Sequence, residues 1–248
     1  MIKQFNLTPS CSKRLIGVAL ARHPDIRRVL EKGTLVIIAG STNGYVAEEL
    51  LKSLGQEEGF TRNGFRRGVT AAPGSNIKNT HDTKDVVIVD GEWQRGKTVY
   101  DVADELKTGD LVLKGANAFD GRGKAAVQIG NTKAGTIGSV LPAIFGRRVK
   151  LIVPVGLEKR VLGDVDDLVL MCNDRETAGP RLCPLPGRIF TELDAIKQLT
   201  GAEAFMLAAG GIHGAEGSVW IGVKGEQDRV EAAEKLIREH ETEPPCRV

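Results

Sequence analysis

The sequence predicts an α/β fold: a largely parallel β-sheet with helices on both faces, followed by a small C-terminal α+β lobe. Short β-branched runs alternate with helical stripes of apolar residues through much of the chain. Such alternation requires crossover connections between parallel strands. From about Leu162 the alternation stops. We therefore expect an α/β domain over residues 1–165, and over residues 166–248 a connector and a small lobe that closes on or extends the sheet.

Composition excludes several classes of protein. The 248 residues, 41% hydrophobic and 27% charged, suffice for a sizeable core. An aromatic content of 4% and a formal charge of +2 give no support to a nucleic-acid partner. The four cysteines include no C-x-x-C pair and the four histidines do not cluster, so we expect neither a metal site nor a disulfide framework. Because no run approaches ~20 apolar residues, we expect a cytoplasmic protein with no membrane partner.

The N-terminal part predicts two helices, a strand and a third helix. Cap-forming residues over 8–12 precede the apolar face Leu15–Leu20, and a short second helix follows His23-Pro24. The run 35–39 is short, continuous and β-branched, which is typical of a strand buried on both faces. A turn over 40–44 then opens a helix that ends at Gly55.

The alternation continues through the middle of the chain. We expect strands at 85–90, 111–113 and 150–155, parallel to the first one. A helix with its apolar face over 99–106 lies between the first two of these, and a further stripe over 137–144 includes Pro142, which must kink that helix or lie in its first turn.

The C-terminal part of the sequence does not continue this alternation of strands and helices. Residues 173–188 contain Gly179-Pro180, Cys183-Pro184 and Pro186-Gly187 and no helical period, which indicates an irregular connector or an edge strand. A helix over 191–199, strands over 202–209 and 218–223, and a final helix follow. These elements form the predicted small lobe.

The first candidate site is the turn after the first strand. Ligands of an open α/β sheet bind beyond the carboxyl ends of its strands, where helix N-termini also point. Glycines there let the backbone approach a ligand, and hydroxyl groups and the helix dipole favour a phosphate or carboxylate. The alternative is a helix cap with no ligand. The turn matches no nucleotide motif, and we expect no cofactor. The ligand-binding candidates here are Gly40, Ser41, Thr42, Asn43 and Gly44.

A second candidate region runs from Lys114 to Gly138, where glycines are denser than one strand-to-helix turn needs. Its polar groups can surround a small anion, although hairpin turns at 120–123 account for part of the glycine content. The candidates in this region are Lys114, Gly115, Ala116, Asn117, Gly130, Asn131, Thr132 and Lys133.

Few acids at the predicted strand ends qualify as catalytic candidates. Asp90 and Glu92 flank Gly91 and can form a carboxylate pair for acid–base work, or shape a turn. Asp120 precedes a glycine and is also a turn residue. Glu158 and Lys159 can pair with each other. His213 lies in a glycine-rich loop that either closes over the site or stays at the surface.

The motifs in these loops resemble a known superfamily. They are Gly40-Ser41-Thr42, the segment 114–120 (Lys-Gly-Ala-Asn-Ala-Phe-Asp) and the segment 128–132 (Gln-Ile-Gly-Asn-Thr). They are similar to the superfamily that contains ribose-5-phosphate isomerase A, glucosamine-6-phosphate deaminase and CoA transferases, with methylthioribose-phosphate isomerases and the sugar-sensing domains of DeoR-type repressors as relatives. Members commonly show a Gly-Ser-Thr or Gly-Thr-Thr turn and then Gly-Ala-Asp. The resemblance covers about residues 12–160.

This resemblance implies a three-layer, Rossmann-like fold with a phosphate or phosphosugar near Ser41, Thr42 and the turn 115–117. In the isomerases of the superfamily, the acid of Gly-Ala-Asp lies at the reacting carbons, and ribose-5-phosphate isomerase has another acid just before that glycine. This chain has Asn117 and Lys114 at those two places. Neither is a carboxylate base, so we do not expect ribose-5-phosphate isomerisation through these groups.

Two functional hypotheses follow. The first is an enzyme that performs isomerisation or related carbonyl chemistry on a small phosphorylated or carboxylated metabolite. The second is a non-catalytic metabolite sensor or regulatory subunit on the same fold. Asn117 in place of the acid favours the sensor, whereas polar groups at other strand ends favour the enzyme. Domains of this class often pair through sheet edges or helices, which leaves a homo-oligomer open.

Overall fold

The computed structural model describes residues 1–68, 70 and 83–246, and these form three β-sheets surrounded by helices. The strands are β1 (Ile2–Leu7), β2 (Thr34–Ile37), β3 (Val86–Val89), β4 (Glu92–Trp93), β5 (Leu111–Leu113), β6 (Ala118–Phe119), β7 (Ala125–Ile129), β8 (Lys150–Pro154), β9 (Arg181–Leu185), β10 (Arg188–Phe190), β11 (Glu203–Ala209) and β12 (Val219–Lys224). The helices are α1 (Pro9–Ala21), α2 (Pro24–Glu31), α3 (Ser41–Ser53), α4 (Gly135–Leu141), α5 (Val165–Asn173), α6 (Glu192–Thr200) and α7 (Gln227–His240).

The largest sheet has six strands in the order β10-β8-β5-β2-β3-β4. Strands β10, β8, β5 and β2 run parallel. The side chains of Val36, Val112 and Val153 in its central strands are fully buried. This is expected of continuous apolar strands that are covered on both faces of the sheet. The predicted strands at 35–39, 111–113 and 150–155 are therefore confirmed, and the protein is a mixed α/β structure.

One strand of this sheet runs opposite to the prediction. β3 pairs antiparallel with β2, with Ile88 opposite Leu35, and β4 pairs antiparallel with β3. Helix α3 returns the chain to the amino ends of the parallel strands, whereas Asp85, the residue before β3, lies at their carboxyl ends against Ala39. Strand β3 therefore runs back along β2, and the expectation of a parallel strand at 85–90 is wrong.

Two predicted helices take other forms. The apolar residues at 99–106 lie in a 3-10 turn, Val99–Asp101, and the turns after it, although Val99 and Leu106 are buried as a core face would be. At Pro142, helix α4 passes into a π-helical turn, Pro142–Gly146. Proline has no N–H for the regular helical hydrogen bond, so the helix changes its winding there.

A second sheet joins the two ends of the chain. Its order is β1-β12-β11, all antiparallel. The predicted strands at 202–209 and 218–223 and the helices that flank them are confirmed. Strand β1 was not predicted, since residues 2–7 show no regular alternation and the strand exists by pairing with β12.

The third sheet, β6-β7-β9, is built partly from the glycine-rich middle region. Strand β9 lies at its edge and contains Pro184, in agreement with the edge strand expected within 173–188. Three strand pairings, β1 with β12, β7 with β9 and β8 with β10, cross the boundary expected at 165/166. The C-terminal elements therefore extend the sheets of the N-terminal part.

A buried ion-pair network fixes the C-terminal tail to α1 and α3. Arg14 is only 7% exposed and donates to Glu48 at 2.6 Å and to Glu49 at 2.6 Å. It also donates to Glu243 in the tail at 2.9 and 3.0 Å. The guanidinium of Arg62 binds Glu48 and Glu243 as well, which closes the network between the helices and the tail. We call residues 241–246 the C-terminal strap.

We predict that Arg14→Met lowers the free energy of unfolding by about 2–4 kcal/mol, because the partly buried Glu49 loses its bound guanidinium and Glu48 and Glu243 keep only Arg62. Urea denaturation measures the change. The matched control is Arg28→Met, whose side chain is 79% exposed and pairs with Asp25 only at 3.7 Å; it should cost less than about 1 kcal/mol. Equal losses in the two variants would contradict a structural role for the network.

Candidate functional site

The parallel strands of the main sheet end along one edge, and the loops beyond them contain the candidate site. Backbone hydrogen bonds continue between these loops, from Ile38 N to Leu113 O (3.0 Å), from Lys114 N to Ile152 O (3.2 Å) and from Val155 N to Phe190 O (3.0 Å). We call this edge the carboxyl rim. Its residues are Ile38–Thr42, Asp85, Lys114–Gly115, Gly156–Lys159 and Thr191–Glu192.

The predicted turn at 40–44 is part of the rim, but its residues differ in the contacts that they make. The buried Asn43 donates from Nδ2 to Ile38 O (2.8 Å) and to Leu113 O (3.0 Å), and so ties the ends of β2 and β5 together. Gly44 packs against Arg62, where a Cβ atom would come within 3.2 Å of the arginine Cβ. The Oγ1 atom of Thr42 is buried and has no hydrogen-bond partner among the described residues. The Oδ1 atom of Asn43 is also buried without a hydrogen-bond partner in the described chain, so both residues of this turn have an unused polar atom.

Asp85 is a rim residue that the sequence analysis did not select. Because β3 is antiparallel, the residue before it lies at the carboxyl end of β2. The Asp85 carboxylate has no exposed surface and accepts hydrogen bonds from Ala39 N (2.8 Å), Val99 N (2.7 Å) and the Arg67 guanidinium (3.1 Å). Burial raises the pKa of Asp85, and the charge of Arg67 and the two backbone N–H groups oppose that rise.

Lys114 lies at the end of β5, as predicted. Its side chain is half-buried, and burial lowers its pKa to about 8. The charge of Asp85 opposes this shift, whereas the charges of Lys159 and Arg67 add to it. Near neutral pH, Lys114 is an ammonium that gives up its proton more readily than an ordinary lysine.

Glu192 is the first residue of α6, beyond the end of β10, and is fully buried. Its carboxylate accepts from Leu157 N at 3.1 and 3.2 Å and interacts with Ser12 of α1. Burial raises the pKa of Glu192 to about 7, and the negative charge of Glu158 adds to the rise. This acid was not among the predicted candidates, because a Glu after Thr191 at a helix start is typical of an ordinary capping sequence.

The predicted local ion pair of Glu158 and Lys159 does not form among the described contacts. Glu158 folds back over Gly156, where a Cβ atom would meet its carboxylate, and its Oε2 atom is buried without a hydrogen-bond partner in the described chain. Burial lowers the pKa of Lys159, and the charges of Glu158 and Glu192 oppose that change. Glu158 and Glu192 therefore form a neighbouring carboxylate pair at the end of β8.

Three helices direct their N-termini to this region. α3 begins at Ser41 and α6 at Glu192, both within the rim, and Ser12 in the first turn of α1 contacts Glu192. A helix N-terminus carries roughly half a positive charge. Together with Lys114, Lys159 and Arg67, these termini make the rim suited to a small anion.

The turn 115–117 connects the rim to the third sheet. A Cβ atom at Gly115 would come within 3.7 Å of Pro154 O, so its backbone passes close to the end of β8. Ala116 is buried. Asn117 accepts from Gln128 N at 3.0 Å and donates from its own backbone to Ala126 O at 2.9 Å. Asn117 thus closes the β6–β7 hairpin with the side chain that was expected to hold a ligand.

Residues 130–133 lie after β7 and form a turn of their own. Asn131 Oδ1 accepts from Lys133 N at 2.7 Å. Arg181 of β9 donates to Gly130 O (3.3 Å) and Asn131 O (3.5 Å). In the described part of the chain, no hydrogen bond or ion pair joins Gly130, Asn131, Thr132 or Lys133 to the rim. Their participation in the site stays a prediction.

The predicted acids lie elsewhere. Asp90 and Glu92 follow β3, and since that strand is antiparallel they lie at the opposite end of the sheet, where Asp90 Oδ1 accepts from Gly33 N at 2.7 Å. The expectation that they follow a parallel strand at the ligand-binding end is therefore wrong. Asp120 is a buried turn residue that accepts from Arg122 N, Lys124 N and Val165 N. Burial alone would raise its pKa, but these donors hold the pKa of Asp120 below its usual value.

The loop over 210–217 lies beside α1, where a Cβ atom at Gly217 would come within 3.4 Å of Pro9 Cγ. His213 in this loop is exposed and adopts a positive φ of 53°. The loop is therefore close to the helix start that borders the rim.

No family model, curated protein or solved structure matches this chain. Within residues 1–68, 70 and 83–246, no group of three metal-binding side chains is positioned to hold an ion. In the same described ranges, no helix has both the length and the apolar character that crossing a membrane requires.

We predict that Glu192→Gln removes a pH dependence of stability. Because the folded-state pKa is raised from 4.5 to about 7, the native state binds this proton more tightly than the unfolded chain does. The contribution of Glu192 to stability therefore falls as pH rises through this interval. Relative to the wild type, the variant should gain up to about 3 kcal/mol between pH 5 and pH 8. Urea unfolding across this range measures it, and parallel stability curves would contradict the buried, protonated state.

Proposed function

We propose that this protein is an enzyme that binds a small phosphorylated or carboxylated metabolite at the carboxyl rim and transfers a proton next to a carbonyl group of that metabolite. The observation that carries the proposal is that Lys114 and Glu192 both lie on the carboxyl rim, beyond the ends of β5 and β10, with their pKa values displaced by burial to about 8 and about 7. An acid and a base whose pKa values bracket neutral pH are what proton transfer requires.

The anion is held by the positive side of the rim. Lys159 and Arg67 supply charge, and the N-terminus of α3, which no side chain caps, supplies N–H groups. The Thr42 hydroxyl gains the hydrogen-bond partner that it lacks among the described residues. Arg67 also stays bound to Asp85, so its guanidinium enters the site in a fixed orientation.

The carboxylate pair and Lys114 then have different roles in the reaction. The pair Glu158–Glu192 takes the proton from the carbon next to the carbonyl group, and the buried Oε2 atom of Glu158 has no hydrogen-bond partner among the described residues that would compete with this role. The Lys114 ammonium binds the carbonyl oxygen and stabilises the negative charge that develops on it. At a pH between 7 and 8, Glu192 is mostly ionised and Lys114 mostly protonated, so the required protonation states dominate together.

The fold agrees with the resemblance to the isomerase and CoA-transferase superfamily, and we propose a Rossmann-like relationship on that basis. The parallel strands and the Gly-Ser-Thr turn at the end of β2 support it. In this proposal, the acids come from β8 and α6, since the superfamily's acidic position is the amide Asn117, which is engaged in a hairpin.

A non-catalytic sensor is the second candidate. It is favoured by Asn117 and by the position of Asp90 and Glu92 at the far end of the sheet. A sensor requires the same anion site but no proton transfer. The two candidates therefore differ in whether the protein exchanges a proton of the bound metabolite with water.

Proton transfer can be measured without knowing the product. The protein is incubated in D2O with ribose 5-phosphate, other sugar phosphates and small keto acids, and NMR follows deuterium incorporation next to the carbonyl group. We expect exchange with at least one compound, a rate optimum between pH 7 and 8, and a loss of roughly 10²-fold or more in Lys114→Met. Lys150→Met, at the amino end of β8, is the matched control. Binding without exchange would favour the sensor, and equal rates in both variants would remove Lys114 from the reaction.

Binding itself is tested separately by thermal shift. An anion that binds the folded state raises its melting temperature. We expect Thr42→Val to abolish the shift produced by the same sugar phosphate, because the valine has the shape of threonine but no hydroxyl. Ser53→Ala, at the other end of α3, is the control for a lost helix hydroxyl. A shift that persists in Thr42→Val would place the anion elsewhere.

A further inference from the structure

A second concave region lies away from the rim, at the amino ends of β8 and β10. It is a groove of about 510 Å³ whose lining includes His23, Phe145, Arg148, Lys150 and Arg188. We call it the basic groove. The rim residues Thr42, Lys114 and Glu192 do not line it, since Lys150 and Arg188 begin the strands whose other ends form the rim.

The basic groove has an excess of positive charge. Its single carboxylate, Asp25, is bound to Lys150 at 2.8 Å. Arg148 and Arg188 are both exposed, and neither side chain makes an ion pair or hydrogen bond with the described residues. Their two positive charges are available to an anion that enters the groove.

A second groove of about 480 Å³ adjoins the first and is mostly apolar. Leu141, Ala125, Pro184 and Leu185 contribute to its lining. Its polar members Lys124 and Asp166 are bound to each other. The two grooves share three residues, Phe145, Pro186 and Gly187. We call the second one the apolar groove.

Two features cost free energy in the isolated chain, one at the junction of the grooves and one beside it in the basic groove. Phe145, in the π-helical turn, is 71% exposed although its ring is apolar. Arg148 adopts a φ of 58°, a conformation that residues other than glycine rarely adopt. Both are accounted for if a ligand covers the ring and reaches the guanidinium.

We propose that the two grooves together bind one amphiphilic anion: an alkyl chain that lies in the apolar groove and crosses Phe145, with a phosphate or carboxylate head held by Arg148 and Arg188. The apolar lining gives the chain its affinity and the paired charges give the head its position. This site is separate from the rim and does not depend on the reaction proposed there.

The test uses decyl phosphate below its micelle concentration and measures binding by isothermal titration calorimetry with the full chain. We expect saturable binding of one molecule per chain. Inorganic phosphate carries the head alone and decyl maltoside carries the chain on a neutral head, so each should bind at least tenfold more weakly. Shortening the chain from decyl to octyl to hexyl should weaken binding by up to about fourfold per buried methylene. Decanoate distinguishes a carboxylate head from a phosphate head at equal chain length, and tight binding of either supports the proposal.

Two variants test separately the binding of the anionic head and the binding of the alkyl chain. Arg148→Glu should weaken decyl phosphate at least tenfold, and the matched charge reversal Arg175→Glu, whose side chain is 90% exposed, should leave binding unchanged. Phe145→Ser should reduce the dependence on chain length without unfolding the protein, which circular dichroism verifies. The proposal is overturned if neither decyl phosphate nor decanoate binds, if decyl maltoside binds equally well, or if Arg148→Glu and Arg175→Glu have the same effect.

Discussion

The buried carboxylate of Asp85 is the constraint on which the rim depends. It binds Ala39 N beyond β2, Val99 N at the start of the 3-10 turn and the guanidinium of Arg67, and it immediately precedes β3. Separate segments of the chain are thus fixed at one carboxyl group. An unpaired charge at this depth would be costly, so the backbone donors and Arg67 must stay in place. The position of the loop after β2, and hence of Thr42, follows from this requirement.

The same burial sets the electrostatics of the neighbouring groups. Asp85 and Glu192 are buried and Lys114, Glu158 and Lys159 are half-buried, so each rim charge acts on the next at a lower dielectric than in bulk water. Asp85 and Arg67 act on Lys114, Lys159 acts on Lys114, and Glu158 acts on both Lys159 and Glu192. The displaced pKa values are therefore a property of the whole rim and not of one unusual residue. The pKa displacements of Lys114 and Glu192 arise mainly from burial, which the packing of the sheet and its helices produces.

Local patterns predicted local structure well. The β-branched run, the glycine turn and the helical stripe over 35–54 correctly predicted a strand, a turn and a helix. The apolar run before Lys114 likewise placed this lysine at a strand end. The direction of β3 depends on a long connection without a helical pattern, so alternation alone misplaced Asp90 and Glu92. Glu192 could not be selected, since it reaches the rim only because β10 pairs with β8, and β8 is distant in sequence. Strand β1 was missed for the same kind of reason, because its pairing partner β12 lies near the other end of the chain.

The C-terminal strap neutralises two arginines that are crowded on one aromatic ring. Arg14 and Arg62 both lie over the ring of Tyr45, at 4.9 and 4.8 Å from its centre, and Glu243 binds the two guanidiniums. Two like charges this close repel each other unless carboxylates share them, and Glu48 of α3 is the second carboxylate that binds both. The cation pair between α1 and α3 is therefore held partly by a counter-ion from a distant part of the sequence.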